Sequence, residues 1–274
     1  MTIKRIGIIG DPVEHSISPA MQQPALDDLG LLVRYERWRT PLDELPARIE
    51  SLRADDVLGA NVTVPHKQAV IPLIDKISEL ALAAGAVNTI VNRNGRLFGD
   101  NTDVYGFQTS LEETVTDAAT RNAVILGAGG ASRAVVLALH QLGVPKVTIV
   151  NRSRERAEQL VADLASSAVI ATEPDDVLGD AGILINATSL GWHRGEMPID
   201  ASLLDRLPSG ALVADLTYRD TDLIEAARKL GLPTLDGLGM LVYQGVLAFE
   251  RFTDRKPPVD VMWAAARAAR APRD

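Results

Sequence analysis

Short apolar runs alternate with stretches of helical periodicity along nearly the whole chain, a pattern that predicts β-α-β units and a parallel sheet. The run "IGIIG" reads as a buried strand, and "SPAMQQPALDDLG" after it predicts a helix capped by Ser18, with Pro19 at its first position, Gly30 past its end and a kink at Pro24. "VRYERW" and "VLGANVTV" predict two more strands, with a helix from about Leu42 to Arg53 between them. Pro65 stops the second of these, and Lys67 stands where a helix ought to begin. Asn94-Gly95 between alternating runs marks a hairpin, which ends at "DNTD", and a helix is expected from about Asp103. The polar stretch "EETVTDAATRN" then reads as a hinge into a second unit. There "AVILGAGGASRAVVLAL" predicts a strand, a glycine-rich turn and a helix, and "KVTIVNR", "ILINATS" and "ALVADLTY" supply further strands. Two last helices, from about Gly239 and Asp260, are expected to fold back on the first unit. The expected fold is α/β with two α/β domains: a discontinuous one with a mixed sheet, residues 1–104 plus 240–274, and a Rossmann-like one, residues 105–239.

Composition narrows the partners. A chain of 274 residues that is 46% hydrophobic can bury a full core in one large domain or two modest ones. The net charge of -8, with both signs interspersed, argues against nucleic acid and anionic membrane surfaces and leaves a small molecule as the expected partner. Having no cysteine, the chain has no disulfide, zinc-thiolate site or thiol nucleophile, and no metal site is expected. The apolar run near the start is too short for a signal-peptide core, and none approaches the roughly 20 residues of a membrane helix, so the expected location is cytoplasmic.

In the glycine-rich turn, Gly127, Gly129 and Gly130 allow a tight turn, close approach of backbone N–H groups to a pyrophosphate, and an open helix N-terminus directed at the anion. The fingerprint is incomplete, because Ser132 stands where a third glycine or alanine is usual, and a plain strand-helix turn is the alternative. After the second strand of this unit the run "VNRSRER" has no acid at the strand end to accept from a ribose hydroxyl. Arg152, Ser153 and Arg156 can instead surround a 2'-phosphate, which favours NADP over NAD; the alternative is a solvated basic cluster offset by Glu155 and Glu158.

Lys67 and Asp103 close two different segments at the expected carboxyl rim of the first sheet, where open α/β sheets bind ligands. Such a pair can move a proton, the ammonium donating to a developing alkoxide and the carboxylate orienting it; a solvated surface lysine is the alternative. Ser16, Ser18, Asn61, Thr63 and Asn88 add short neutral hydrogen-bonding groups that suit a polyhydroxylated ring, and with no arginine in these segments the serines would hold a carboxylate. The alternative is that Ser18 only caps a helix and Asn61 only satisfies backbone.

The segments "HSISP", "NVTVPHK", "AVNT", "DNTD", "GAGGASRA", "NRSRERA", "NATSLG" and "DGLGMLVYQ" together resemble the shikimate dehydrogenase family, in its order and spacing across nearly the whole chain. The resemblance implies an N-terminal substrate-binding and catalytic domain, a C-terminal NADP-binding domain, and reversible NADP-dependent reduction of 3-dehydroshikimate to shikimate in aromatic amino acid biosynthesis. It implies that Lys67 is the acid/base residue and Asp103 its partner, that Ser16 and Ser18 hold the carboxylate, and that Asn61, Thr63, Asn88, Tyr218 and Gln244 lie on hydroxyls and ring. Gly127, Ala128, Gly129, Gly130 and Ala131 would cradle pyrophosphate, Asn151, Arg152, Ser153 and Arg156 would read the ribose phosphate, and Leu216, Gly237 and Met240 would line the nicotinamide side. Glu79 matches weakly an acidic position near the cofactor. The resemblance leaves a homodimer open as the assembly.

This sequence departs from the family's pattern at three places. The usual proline two residues after Tyr218 is absent from "DLTYRDT", which puts that tyrosine's role in question. "WHRGEMP" brings Trp192, His193 and Arg194 after "NATSLG", as a lid or as a surface loop, and His66 stands at a usually apolar position, as a packing or solvent-facing group or a second base. Two rival readings remain: a quinate/shikimate dehydrogenase using NAD, against which Thr63 and the two arginines count, and a non-catalytic dinucleotide-binding paralogue, against which Lys67 and Asp103 count.

Overall fold

A computed structural model describes residues 3–164, 168–171 and 173–270. The chain divides into two units, Met1–Gly106 with Leu241–Arg270, and Phe107–Met240.

In the first unit β1 (Lys4–Gly10), β2 (Val33–Arg39), β3 (Val57–Val62), β4 (Lys76–Ile77), β5 (Thr89–Arg93) and β6 (Arg96–Asp100) form one sheet in the order β2-β1-β3-β5-β6-β4. It is a mixed sheet: β1 runs parallel to β2 and β3, whereas β5 is antiparallel to β3 and β6. The hairpin between β5 and β6 turns at Asn94 (φ 54°) and Gly95 (φ 81°), the two left-handed positions that its right-handed strand twist demands. The core beneath includes Ile9, Trp38, Ile49, Leu52, Val62 and Ile90.

Helices α1 (Ser18–Asp28), α2 (Leu45–Ser51) and α3 (Glu79–Ala84) lie between these strands, and α4 (Asp103–Glu112) follows β6. Three local expectations change. Ser18 lies inside α1 rather than capping it: Ile17 is the cap, and the Ser18 N–H donates to Ser16 Oγ at 3.3 Å. Pro24 stays within α1, and Gly30 (φ 62°) follows its end. The helix expected from Leu42 is a 3-10 turn over Leu42–Glu44 followed by α2, with Pro46 in the first turn, where its missing N–H leaves no bond unmade. No helix begins at Lys67; the chain turns there and makes only a 3-10 turn at Ile71–Leu73, because Pro72 has no N–H to continue an i→i−4 ladder.

In the second unit β7 (Ala123–Leu126), β8 (Val147–Val150), β9 (Val169–Ala171), β10 (Ile183–Asn186), β11 (Leu212–Asp215) and β12 (Thr234–Leu235) make an all-parallel sheet in the order β12-β11-β10-β7-β8-β9. The order reverses between β7 and β10, and the crevice at the carboxyl ends of these strands is the place where doubly wound sheets take ligands. Helices α5 (Gly130–Gln141), α6 (Arg154–Asp163) and α7 (Asp222–Lys229) follow β7, β8 and β11.

The division falls inside α4, between Gly106 and Phe107, so the polar stretch at 112–122 lies within the second unit. It falls again inside α8 (Leu238–Thr253), after which α9 (Val259–Ala269) packs against α1. A Cβ at Gly245 would stand 2.4 Å from Met21 Cε, so any larger residue there would have to displace the end of the Met21 side chain where α8 meets α1. No described helix is long and apolar enough to cross a membrane, and among the described residues no group of His, Asp and Glu could hold a metal ion.

Candidate active site and dinucleotide turn

Lys67 sits in the turn after β3, where the Val87 N–H donates to its carbonyl at 2.7 Å and ties it to the segment entering β5. Its Nζ donates to Asp103 Oδ2 at 2.6 Å, with the two side chains 15% and 7% exposed. Asp103 opens α4, and its N–H, with that of Val104, is satisfied by Asn101 Oδ1 at 3.0 and 3.3 Å. An ammonium has three N–H donors, so the pair uses one and leaves two for a ligand oxygen.

The Asn88 side chain joins the first unit's polar groups into a network. Its Nδ2 donates to Asp103 Oδ1 at 2.9 Å, to Thr102 Oγ1 at 2.9 Å and, at 3.4 Å, to Gln244 Oε1; its Oδ1 accepts from the Thr102 N–H at 2.7 Å. Both carboxylate oxygens of Asp103 are thereby oriented, one by Lys67 and one by Asn88. Asn61 lies one step further out: its Nδ2 donates to Thr89 Oγ1 at 3.1 Å, and its Oδ1 accepts from Tyr35 OH at 2.6 Å. Burial pushes the Tyr35 phenol far above its ordinary value, so it serves as a neutral donor.

The structure thus brings Lys67, Asp103, Asn88 and Gln244 into one connected cluster. Ser16 and the buried Ser18 lie at the start of α1, and half-buried Thr63 follows β3. Glu79 is exposed in the first turn of α3. His66 is fully buried: its Nε2 donates to the Thr40 carbonyl at 2.6 Å, and its buried Nδ1 has no hydrogen-bond partner among the described residues. It is a packed histidine and not a solvent-facing one. Tyr35, Thr89, Asn101 and Thr102 belong to this network without having been singled out in the sequence; only Asn101 carried a local signal, as an Asx residue just before a helix start.

In the second unit, Gly127 is buried with φ 106°, and a Cβ there would meet the Ala187 carbonyl oxygen at 3.0 Å. The carboxyl ends of β7 and β10 therefore approach across the switch point only through a glycine. Gly129 is exposed, with nothing within 4 Å of an added Cβ, and stands just before the N-terminus of the twelve-residue α5. Ser132 is wholly buried and accepts the Gly129 N–H at 3.2 Å, so its hydroxyl closes the turn where a third glycine would have left room. Ala128, Gly130 and Ala131 are half-buried around the same turn.

At the tip of β8, Asn151 Nδ2 donates to the Ser153 carbonyl at 2.7 Å, and Ser153 Oγ accepts the Arg156 N–H at 3.3 Å as the cap of α6. The nearby acids are engaged elsewhere: Glu155 accepts from the Ser153 hydroxyl, which holds its carboxyl below the usual range, and Glu158 pairs with Arg154 at 2.8 Å. Arg152 and Arg156 are both exposed, and neither is in an ion pair among the described residues. An open helix N-terminus, a turn that admits close approach and two unneutralised guanidiniums fit a phosphorylated dinucleotide.

The loops after β10 and β11 leave adjacent parallel strands and are pinned to each other. Asn186 Nδ2 donates to the Leu190 carbonyl and to Asp215 Oδ2, both at 3.0 Å; Thr221 Oγ1 donates to Asp215 Oδ2 at 2.8 Å; and the Gly195 N–H donates to Asp222 Oδ2 at 2.6 Å. Glu196 Oε2 accepts the N–H groups of Gly191 and His193 at 2.9 and 3.1 Å. The Trp192 ring meets Tyr218 edge-to-face at 5.1 Å between centroids, and the Arg219 guanidinium lies 5.0 Å from the centre of the Trp192 ring. The Trp192 loop is therefore held by hydrogen bonds and ring contacts, with His193, Arg194 and Gly195 exposed on it. Half-buried Leu216 and buried Gly237 approach too closely for any side chain on the latter, since its Cβ would stand 2.0 Å from the Leu216 carbonyl oxygen. Met240 is buried on α8 at the end of this unit.

Comparison with known proteins adds the following. Residues 8–90 match the shikimate dehydrogenase substrate binding domain, residues 110–194 the shikimate / quinate 5-dehydrogenase family, and residues 237–267 the shikimate 5'-dehydrogenase C-terminal domain. A shikimate dehydrogenase (NADP(+)) of Symbiobacterium thermophilum is 46% identical over 275 residues, which cover 96% of this chain and 94% of that one. The crystal structure of the Thermus thermophilus shikimate 5-dehydrogenase in complex with NADP(H) and shikimate superposes with a TM-score of 0.88 at 38% identity, covering 97% and 99% of the two chains. The quinate dehydrogenase of Corynebacterium glutamicum in complex with NAD does so at 0.86 and 34%, covering 97% and 99%.

Proposed function

Because the chain belongs to the shikimate dehydrogenase family, we propose that it catalyses the NADP-dependent, reversible reduction of 3-dehydroshikimate to shikimate. The observation that carries the reading is the shielded contact between Lys67 Nζ and Asp103 Oδ2 at 2.6 Å. When bound, the reduced cofactor supplies the hydride that goes to the ring carbonyl carbon. Lys67 gives one ammonium proton to the carbonyl oxygen as negative charge gathers there, and the new hydroxyl keeps it. In the oxidation direction the neutral amine takes the hydroxyl proton back. Asp103, with one oxygen on Lys67 and the other on Asn88, holds the ammonium in place and accepts from a ring hydroxyl.

Ser16 and Ser18 hold the substrate carboxylate in this reading, and Asn61, Thr63, Asn88, Tyr218 and Gln244 position ring and hydroxyls. Asn61 and Asn88 do so with amides already tied into the protein, which fixes their orientation before substrate arrives. Residues 127–131 cradle pyrophosphate, Asn151, Arg152, Ser153 and Arg156 read the ribose phosphate, and Leu216, Gly237 and Met240 line the nicotinamide side. The first unit is then the substrate-binding and catalytic domain, the second the dinucleotide-binding domain, and the enzyme works in the cytoplasm, with a homodimer as the assembly to test for.

The test is steady-state oxidation of shikimate with NADP+, run beside NAD+ and beside quinate. The expected result is a higher kcat/KM for shikimate with NADP+ than for any other pairing. A preference for quinate and NAD+ overturns the substrate and cofactor assignment, and absence of turnover with every pairing overturns the enzyme.

A further inference from the structure

Trp192 and Arg219 lie on different loops, the ones after β10 and β11, yet they meet around the same tyrosine. The Trp192 ring stands nearly perpendicular to Tyr218, at 87°, and Arg219 covers the indole. Edge-to-face rings attract through their quadrupoles, and a guanidinium over an indole adds a second attraction. Arg219 Nε is buried with no hydrogen-bond partner among the described residues, so hydrogen bonding at that atom does not explain its placement, whereas stacking does. The backbone of both loops is already held without Trp192, by Asn186, Asp215, Thr221, Glu196 and Asp222. Trp192 is itself only half-buried. What the indole adds to that frame is a fixed neighbour for the Tyr218 ring.

We propose that Trp192, clamped by Arg219, is a positioning residue that sets the orientation of Tyr218 for substrate binding. The inference rests on Tyr218 being a substrate contact of the proposed dehydrogenase. A tyrosine on a loop samples several side-chain rotamers, and a ring packed at right angles against it selects one. Selection before binding raises the fraction of enzyme ready for substrate, so its loss acts on KM more than on kcat.

The experiment measures shikimate oxidation by the wild type, Trp192→Ala, Trp192→Phe, Tyr218→Ala and the Trp192→Ala/Tyr218→Ala double variant, with NADP+ affinity read separately by calorimetric titration. Trp192→Ala is expected to raise KM for shikimate about tenfold with kcat changed less than about threefold, and Trp192→Phe, which keeps a ring edge, to recover most of the loss. On the Tyr218→Ala background, Trp192→Ala is expected to add less than about twofold, because the effect passes through the missing ring. The NADP+ dissociation constant stays within about twofold of the wild type throughout. Arg219→Met, which removes the cation and spares both rings, is expected to raise KM about threefold and gives an independent reading if Trp192→Ala does not fold. An unchanged KM in Trp192→Ala, or a full multiplicative effect on the Tyr218→Ala background, overturns the positioning role in an otherwise active enzyme. A wild type without shikimate turnover overturns the functional reading first, and the positioning role with it.

Discussion

Replacing Asn88 with alanine disconnects the Asp103 carboxylate from Thr102 and Gln244, which keep only their direct contact at 3.4 Å. Asn88 is 2% exposed and Thr102 wholly buried, so no water takes the lost partner's place readily. The Thr102 N–H loses its acceptor at 2.7 Å, a cost of about 1–3 kcal/mol for a buried unsatisfied donor, and the Asp103 carboxylate loses a donor at 2.9 Å, about another 1.5–3 kcal/mol for a bond to a charged group. A loss of about 4 kcal/mol follows, which at about 2–4 °C per kcal/mol for domains of this size lowers Tm by about 10 °C. Scanning calorimetry at neutral pH measures it. Asn88→Asp separates packing from charge: one oxygen still accepts from Thr102, but the other faces Asp103 Oδ1 as a second carboxylate, so this variant recovers stability on acidification while Asn88→Ala does not. A Tm for Asn88→Ala within about 2 °C of the wild type would refute the reasoning, since the network would then bear no stability.

Two further perturbations test other parts of the account. Arg152→Ala should weaken NADP+ binding by about tenfold to a hundredfold while sparing NAD+, as loss of a charge-assisted contact to one phosphate does; calorimetric titration with both cofactors decides it, and equal weakening would make the arginine structural. Burial raises the Asp215 carboxyl above its ordinary range, against the hydrogen bonds from Asn186, Thr217 and Thr221 that favour the charged form. With the folded value raised, the contribution of Asp215 to stability is full below the unfolded carboxyl's value of about 3.9 and is lost as pH rises through the folded value. The wild-type Tm minus that of Asp215→Asn should therefore decrease as pH rises from the unfolded carboxyl's value, and a wild-type Tm that instead gains on the variant with rising pH would contradict the sign.

Much of this was legible in the chain because local rules and tertiary structure agree. Asn94-Gly95 needs two left-handed residues and has them, and the β7 turn needs a glycine where Gly127 meets Ala187. The α/β class followed from apolar periodicity, and the Asn94-Gly95 signal marked the antiparallel hairpin that makes the first sheet mixed. Where the reading failed, a proline or a neighbouring side chain outweighed the local signal. Pro72 turned the helix expected at Lys67 into a short 3-10 turn, and the Ser16 hydroxyl accepts at the start of α1, so Ser18 lies inside the helix. The short elements β4 and α3 were not anticipated, although Ser78 and Gly85 cap α3 by the ordinary signals. Pairings across sequence left no local trace. Nothing in "WHRGEMP" or "DLTYRDT" says that Trp192 packs on Tyr218, and Tyr35 gives no sign that its hydroxyl reaches Asn61. Such contacts depend on which strands become neighbours, and periodicity does not report that.

The central claim is that the Lys67 amine moves the proton, and the most direct measurement is the turnover of Lys67→Ala with shikimate and NADP+ under saturating conditions. The account predicts a fall in kcat of about 10² to 10⁴, the scale of a lost general acid-base group, with a much smaller change in the dissociation constant of shikimate. A variant that folds, binds shikimate and turns over at the wild-type rate would contradict it.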